Sequence, residues 1–513
     1  MLLDTKSWSI FMAEKCAINP TREEDYAEWY QQVIKAADMA ENSPVRGCMV
    51  IKPWGWAIWE FIRDQLDSRI KATGHQNAYF PLFVPLSFLQ KEASHVEGFA
   101  KECAVVTHVR LEVKDKKLVP AAELEEPLVI RPTSEAVIGE AFSRWISSWR
   151  DLPLLINQWA NVVRWEMRPR IFIRTSEFLW QEGHTAHATE EEAWKEAKLM
   201  LEEYRKLTEE MLAIPVILGS KSPGERFPGA VDTMTFECMT QDRKAIQCGT
   251  SHYLGQNFAK AFSIRFNTPQ GGTEYAYTTS WGVTTRLIGA MIMAHSDDNG
   301  LCLPPKVAPY HVVIIPVLTK EERREEVLAA ARKLEKALQQ EVFDGKPVRV
   351  HVDDKEGRAG EKNWAWIKKG VPIRIEIGAR EVDASTCVAS LRDSLEKTVI
   401  PLGGIASKTP SLLADLQERM FQKALQFRNQ HIHTDITTFE QMKAFFTPEC
   451  EEKPEIHGGF VRAKWCGDTA TEDLLKELKV TIRCLPFDQS GTEGKCVITG
   501  RPATLDAIFA KSY

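Results

Sequence analysis

The sequence predicts an α+β protein. A large first domain is built on a mixed, mainly antiparallel sheet with helices; an α/β domain and a small third α/β unit follow. Three observations carry this. Strand candidates between residues 78 and 280 are widely spaced and lack regular βα alternation. From "YHVVIIPVL" to "VPIRIEIG" the pattern changes to a β-α-β-α-β rhythm over a stretch of about 100 residues. Past "ASKTPS" (406–411), a helix at 412–432 opens a further unit. The domains are accordingly 1–305, 306–405 and 406–513, within the two to four that 513 residues suggest.

Composition bounds the function classes. With 44% hydrophobic and 27% charged residues and no low-complexity tract, the chain reads as an ordinary globular protein. Its longest apolar runs, such as "VVIIPVL" (312–318), are too short to cross a bilayer, so no membrane partner is expected. Asp4 and Lys6 interrupt "MLLDTKSWSI" where a secretory leader needs a continuous apolar stretch. Eleven scattered cysteines, odd in number, do not suit a secreted disulfide framework, and a reducing cytoplasm is the expected location. A net charge of −6 gives no global attraction to nucleic acid, so such a partner must meet a local basic patch.

Residues 22–40 and 53–73 read as helices, the second opening with Pro53 in its first turn and stopping at Gly74. "AYFPLFVP" (78–85), broken by two prolines, is an edge or distorted strand. Further strands are expected at 127–131, 154–165, 171–180, 232–238 and 274–280, with an amphipathic helix at about 190–212. In the α/β domain, Thr319 and Glu322 make a capping box for a helix to about 340, and "VRVHVD" and "VPIRIEIG" (371–378) alternate as strands.

The segment "RWEMRPRIFIRTSEFLWQEGH" (164–184) holds four arginines and three glutamates, with Trp165, Phe172, Phe178 and Trp180 threaded between them. The strands flanking "EMRPRI" read as a hairpin with a charged loop. Alternation puts Arg164 and Glu166 on one face, and Arg174, Ser176, Phe178 and Trp180 together on the return strand. Guanidinium forks hold phosphate oxygens, a carboxylate accepts the adenine amino hydrogens and a ring stacks on the base, so this set suits a nucleoside triphosphate. A solvated amphipathic hairpin with ion pairs has the same local composition.

Arg164-Trp-Glu166, then Arg174-Thr-Ser-Glu-Phe178 and Glu182, resemble the second motif of the class II aminoacyl-tRNA synthetases. "SWGVTTRLIGAMI", which carries Arg286, resembles their third motif, and residues 53–81, a helix running into a strand with Pro81, resemble the first. Within the class, "RPTSE" (131–135), "FLWQEGHTA", "AIQCGTSHYLGQNFAKAF" and "SWGVTTR" resemble the prolyl-tRNA synthetase family over nearly the whole chain. Fewer than 100 residues separate Gly183 from Thr279, which leaves no room for the large editing insertion of one bacterial type. The chain is therefore similar to the archaeal and eukaryotic-like type.

The resemblance implies a catalytic sheet of six or seven strands and a two-step reaction, in which L-proline is activated by ATP to prolyl-adenylate and transferred to tRNA(Pro). It implies Arg164 and Arg286 as catalytic residues, with Arg164 on the proline carboxylate and α-phosphate. Glu166 would face adenine or the tRNA acceptor end, Arg174 the γ-phosphate and Thr175 the base, while Phe178 and Arg286 would flank the adenine. Gln247, Thr250 and Thr284 would line the ATP site, Gln247 beside Mg²⁺. Thr133 and Glu135 would receive the secondary ammonium of proline; Trp180, Phe227 and His252 would shape the pyrrolidine pocket, and Glu182 and Ser280 complete the set. From the residues alone, Thr133 or Ser134 caps the helix through "EAVIGEAFSRWI" with Glu135 in its first turn, and both readings stand together. No residue is an obvious general base.

Residues 355–380 hold seven Lys or Arg against three Glu, a local excess of +4. With Val371, Ile373, Ile375 and Ile377 buried, Arg374 and Glu376 project from the opposite face, either as a solvated ion pair or as readers of guanine edges. The resemblance makes this the anticodon-binding domain, with Lys362, Trp364, Lys369 and Arg380 as further candidates. The third unit resembles the family's zinc-binding domain, whose cysteines stand as C-x4-C and C-x2-C. Here Cys466 is followed by Thr471 and Cys496 by Thr499, so no structural zinc is expected. The family's tail ends in tyrosine, and the free carboxylate of Tyr513 is expected to reach toward the active site. The first motif implies a homodimer. A synthetase for glycine, threonine or histidine is disfavoured by "RPTSE" with "GTSH", and a non-charging regulatory relative by the three motif arginines.

Overall fold

The structure, a computed structural model, describes residues 16–90, 100–450 and 455–513; the stretch 1–10 read above lies outside them. Helices α1 (Tyr26–Ala36) and α2 (Pro53–Ala72) form where periodicity places them. Between them β1 (Ala40–Asn42) and β2 (Met49–Ile51) pair as a short ribbon. A long hairpin of β3 (Ala104–Lys114) and β4 (Lys117–Ile130) leads into α3 (Glu135–Trp145). Next come β5 (Leu154–Val163), β6 (Glu177–His187) and α4 (Glu190–Lys206), the last held by a Thr189/Glu192 capping box. Strands β7 (Ile217–Ser220), β8 (Asp232–Met239), β9 (Ala245–Gly255) and β10 (Tyr277–Thr284) and helix α5 (Arg286–His295) complete the catalytic core.

The core strands run in the order β7-β8-β9-β10-β6-β5, all antiparallel, and Gln76–Asn77 adds a parallel edge beside β5, giving the expected mixed sheet. Helices α2, α4 and α5 cover one face through Trp59, Ile62, Met200, Tyr204, Leu287 and Met291, packed with Phe236 and Trp281 of the sheet. Trp281 lies so close to the neighbouring strand that a Cβ on Gly183 would stand 2.0 Å from its ring, so only glycine fits there. The middle of the opposite face is left for a cleft.

In the α/β domain, β11 (Val312–Val317), β12 (Val350–Val352) and β13 (Ile373–Gly378) are parallel. β14 (Thr386–Leu391) and β15 (Lys397–Pro401) extend the sheet antiparallel, in the order β12-β11-β13-β14-β15. Its helices α6 (Arg324–Leu338) and α7 (Ala359–Lys368) occupy the crossovers. The expected Thr319/Glu322 capping box is corrected: a 3₁₀ turn at Glu321–Arg323 precedes α6, and Arg323 pairs with Glu326 and Asp383.

The start of the helix expected at 412–432 is also corrected. Helix α8 (Leu402–Gln430) begins earlier, with Pro410 inside. Proline removes one helical donor, but Ile405 and Leu413 are buried in the α/β domain while Leu416 and Met420 pack with Ala213 and Cys302 of the catalytic core. Apolar burial on both sides carries the helix past the proline.

The C-terminal unit is not a detached module. Its β16 (Phe460–Trp465), β17 (Thr481–Pro486) and β18 (Leu505–Ala510) continue the catalytic sheet, because β17 pairs with β7 through Leu485–Ser220 and Pro486–Gly219. Under this junction Glu237, fully buried, accepts from Lys221 Nζ at 2.8 Å and from Arg483 Nη2 at 2.9 Å. Burial opposes ionisation, yet the two cations hold the Glu237 carboxyl down at about 2. Cys238, Cys248, Cys302, Cys387 and Cys484 are buried free thiols, and no helix among the described residues is long and apolar enough to cross a membrane.

Two outcomes are expected at this junction. Arg483→Ala leaves a buried carboxylate short of a partner and costs about 3–5 kcal/mol of unfolding free energy. The Glu237 contribution is complete above the ordinary carboxylate pKa and is lost as pH falls from there toward about 2. Urea unfolding of wild type and Glu237→Gln between pH 6 and 2.5 checks this: the variant is less stable at neutral pH and has a flatter acid limb.

Candidate active site

A cleft of about 360 Å³ opens over the uncovered face of the catalytic sheet. Its floor follows from strand register. Cross-strand pairing sets Glu182 beside Gly282 beside Thr250, and His184 beside Ser280 beside His252, while Trp180 stands beside Thr284. Because alternate residues share a face, one register delivers Phe178, Trp180, Glu182, Ser280, Thr284, Thr250 and His252 to one wall. A bulge in the β8–β9 pairing skips Cys248, so Gln247 also lines the cleft.

The motif segment is a loop more than a hairpin. β5 ends at Val163 and β6 begins at Glu177, so Arg164, Glu166, Arg174 and Ser176 are not on the strand faces that alternation assigned to them. The reason is visible in the loop. Arg170 and Arg174 form an isolated bridge, and Phe172, buried at its tip, takes a left-handed φ of 62°. The loop still brings the expected side chains together. Arg164 Nε donates to the Pro132 carbonyl at 2.9 Å, and its guanidinium lies 5.7 Å from the ring centres of both Phe178 and Trp180. Arg174 bonds to Glu166, which also accepts from the Arg168 amide at 2.7 Å. Against burial, that amide and guanidinium hold Glu166 below the usual carboxylate range. Arg286, at the start of α5, donates to the Ile173 and Gln247 carbonyls at 3.1 and 3.3 Å. Burial, with Arg164 and Arg174 nearby, brings its pKa down to about 10.

The other end is smaller and more polar. Thr133 Oγ1 bonds to Glu135, a nearly buried carboxylate. Ser134 stands at the N-cap of α3 but makes no capping bond, and donates instead to Glu182 at 2.5 Å, which corrects the capping reading of these hydroxyls. Glu182 also accepts from Gln158 at 2.8 Å and lies 3.0 Å from His184 Nε2. Burial opposes both charges, yet each partner favours the other, so Glu182 is shifted down and His184 up. Phe227 lies against His252, ring centres 4.7 Å apart, and His252 bonds through Nδ1 to Thr233 and through Nε2 to Thr250, each at 3.0 Å. Ser280 Oγ and Trp180 Nε1, both buried in this wall, have no hydrogen-bond partner among the described residues. Orphaned donors in a cleft fit a ligand that completes them.

Several lining residues carried no sequence signal. Glu102 and Lys221 come from distant segments, and Lys221 is placed by the Glu237 ion pair. Tyr513 lines the cleft through its side chain: its ring lies 5.0 Å from both Arg170 and Lys244, and its hydroxyl bonds to Asp242. Thr175 Oγ1 donates to the Glu177 carbonyl at 2.7 Å, and the Thr284 hydroxyl accepts from the Arg286 amide at 3.0 Å.

In the α/β domain two expectations are corrected. Arg374 does not project into solvent: it is 2% exposed and donates to Asn363 Oδ1 at 2.8 Å, because α7 covers this face of a central strand. Lys362 is buried as well, bonded to the Asp353 and Lys355 carbonyls. Glu376 accepts from Asn363 at 3.0 Å and Lys397 at 2.8 Å. Trp364 and Arg380 are exposed, and Lys369 lies 5.4 Å from the rings of Trp54 and Trp366.

A mainly antiparallel sheet with an arginine-bearing loop after its outer hairpin strand and a second arginine opening the following helix defines the catalytic core of a class II aminoacyl-tRNA synthetase. Residues 116–295 match the family described as "tRNA synthetase class II core domain (G, H, P, S and T)". Residues 311–411 match "Anticodon binding domain" and 449–513 match "Prolyl-tRNA synthetase, C-terminal". The chain is 64% identical over 502 residues to a proline–tRNA ligase of Protochlamydia amoebophila, covering 98% of this chain and 99% of that one. It is 55% identical to the proline–tRNA ligase of Rhodopirellula baltica, covering 98% of each. A solved prolyl-tRNA synthetase from Cryptosporidium parvum, complexed with halofuginone and AMPPNP, superposes with a TM-score of 0.86 at 39% identity over 97% of both chains. The chain belongs to the prolyl-tRNA synthetase family.

One titration follows from the pocket. Burial first, then His184 and Arg164, push His252 down to about 3, so it stays neutral through the physiological range. In an NMR titration from pH 5 to 8 the His252 ring signals are expected to stay fixed.

Proposed function

We propose that this cleft forms prolyl-adenylate from L-proline and ATP and passes the prolyl group to tRNA(Pro). The observation that carries the reading is the division of one cleft into two ends. Arg164, Arg174 and Arg286 converge at one, and a small pocket walled by Trp180, Phe227 and His252 closes the other. ATP suits the first: Arg174 takes the γ-phosphate, Thr175 sits beside the base, and Phe178 and Arg286 flank the adenine. Glu166 faces the adenine amino group or the acceptor end. Proline suits the second: Glu135 and Thr133 receive its ammonium, with Ser280 and Glu182 behind them.

Arg164 lies between the two ends and binds both the proline carboxylate and the α-phosphate. A carboxylate oxygen attacks the α-phosphorus and pyrophosphate leaves; the terminal ribose hydroxyl of the tRNA then attacks the acyl carbon and AMP leaves. Alignment and charge stabilisation suffice, and no protein nucleophile takes part. Magnesium would add charge neutralisation at the phosphates. The donors fit an ion carried chiefly by the nucleotide, with Gln247 as the protein oxygen, since Glu166 and Glu237 are engaged by cations. The C-terminal positions do not fit zinc. Arg501 Nη2 lies 3.3 Å from Cys466 Sγ, and Thr471 Oγ1 is bonded to Trp465 and to the Asp468 carbonyl.

The α/β domain would read the anticodon through Trp364, Lys369, Glu376 and Arg380, with Arg374 orienting Glu376 through Asn363. Tyr513 would brace Arg170 beside the ATP loop. A cytoplasmic homodimer completes the reading, supported by the scattered, odd-numbered cysteines and the first motif.

Proline-dependent pyrophosphate exchange with Glu135→Gln tests the assignment. Loss of a charged hydrogen bond raises KM for proline roughly tenfold or more, while KM for ATP stays within about threefold. An equal rise in both would remove Glu135 from the proline pocket.

A further inference from the structure

We propose that the turn Ser43–Gly47 between β1 and β2 positions the ATP-binding loop 164–176, with Arg46 and Gly47 as its working residues. The proposal rests on the ATP reading given above. None of residues 43–48 is among those lining the cleft, so the turn acts only through the loop.

The contacts reach both limbs of the loop. The Gly47 carbonyl accepts from the Ser176 amide at 2.7 Å, and Arg46 Nη2 donates to the Met167 carbonyl at 2.8 Å. Ser176 is the loop's junction. Its carbonyl accepts from the Arg164 amide at 2.8 Å, and its hydroxyl accepts from the Glu166 amide at 3.1 Å. Glu166 in turn binds Arg174. A fixed Ser176 therefore fixes the backbone of Arg164 and Glu166 and, through Glu166, the Arg174 guanidinium.

Gly47 suits this task on two counts. Its φ is +81°, which disfavours residues with a side chain, and a Cβ there would stand 2.1 Å from Ser176 Oγ. The turn is also internally braced: the Val45 amide donates to Ser43 Oγ at 3.1 Å, and the Ser43 and Cys48 amides donate to the Cys48 and Val45 carbonyls at 3.0 Å. An irregular loop bearing four ATP-site residues would otherwise be ordered at the expense of nucleotide affinity. Held from outside, it meets ATP already shaped.

Pyrophosphate exchange, equilibrium ATP binding and hydrogen exchange at the Ser176 amide, on full-length Arg46→Ala, Arg46→Lys and Gly47→Ala, test this. Arg46 is exposed, so its variants keep the fold even where Gly47→Ala does not. Arg46→Ala is expected to weaken ATP binding and raise KM for ATP about fivefold, the net worth of one hydrogen bond. KM for proline stays within about twofold, Arg46→Lys recovers part of the loss, and the Ser176 amide exchanges faster. Gly47→Ala does the same more strongly. Equal rises in both KM values, or unchanged Ser176 exchange, would overturn the proposal. Protein that binds ATP but shows no proline-dependent exchange contradicts the proposed function instead, and ATP affinity with Ser176 exchange still decides the role of the turn.

Discussion

In the centre of the sheet β6, β10 and β9 are locked in a register that sets His184, Ser280 and His252 in one row and Glu182, Gly282 and Thr250 in the next. A slip of one residue in any of these strands would turn its site residues into the helical layer and bring that layer's apolar residues into the cleft. The register is held from below by Trp281, which fills the space left by Gly183. The same pairs that close the core thus aim the site.

On that platform the cleft is electrostatically unfinished. Arg164, Arg174 and Arg286 approach one another; Arg174 is bound to Glu166, and Arg286 donates to two backbone carbonyls. The lowered Arg286 pKa records burial beside like charge, a state that a triphosphate would relieve. At the pocket end Glu182 is satisfied by Ser134, Gln158 and His184, whereas Glu135 has the neighbouring Thr133 hydroxyl. The three guanidiniums suit one end to an anion, and the Glu135 carboxylate suits the other to a cation. These are the demands of an amino acid reacting with a nucleotide.

Much of this was legible in the sequence. The 2.0 and 3.6 periods located most elements, and the family resemblance named most side chains that line the cleft. What the sequence hid was tertiary. Alternation carried the hairpin past Val163 because it cannot see a loop fold back on Ser176 and Gly47. It placed Arg374 in solvent because it cannot see α7 covering the second face of β13. The helix expected from 412 begins earlier, at Leu402, because the burial of Leu413 and Leu416 on two different domains has no local signature. Lys221 and Arg483, far apart in the chain, meet only because β17 joins the catalytic sheet.

The central claim is that the cleft activates proline through Arg164. Its most direct test is ATP–pyrophosphate exchange with each of the twenty amino acids, with and without tRNA, on wild type and Arg164→Ala. Exchange strongest with proline and abolished in the variant is the predicted result. Exchange strongest with another amino acid, absent with all of them in folded protein, or unaffected by the substitution would contradict the account.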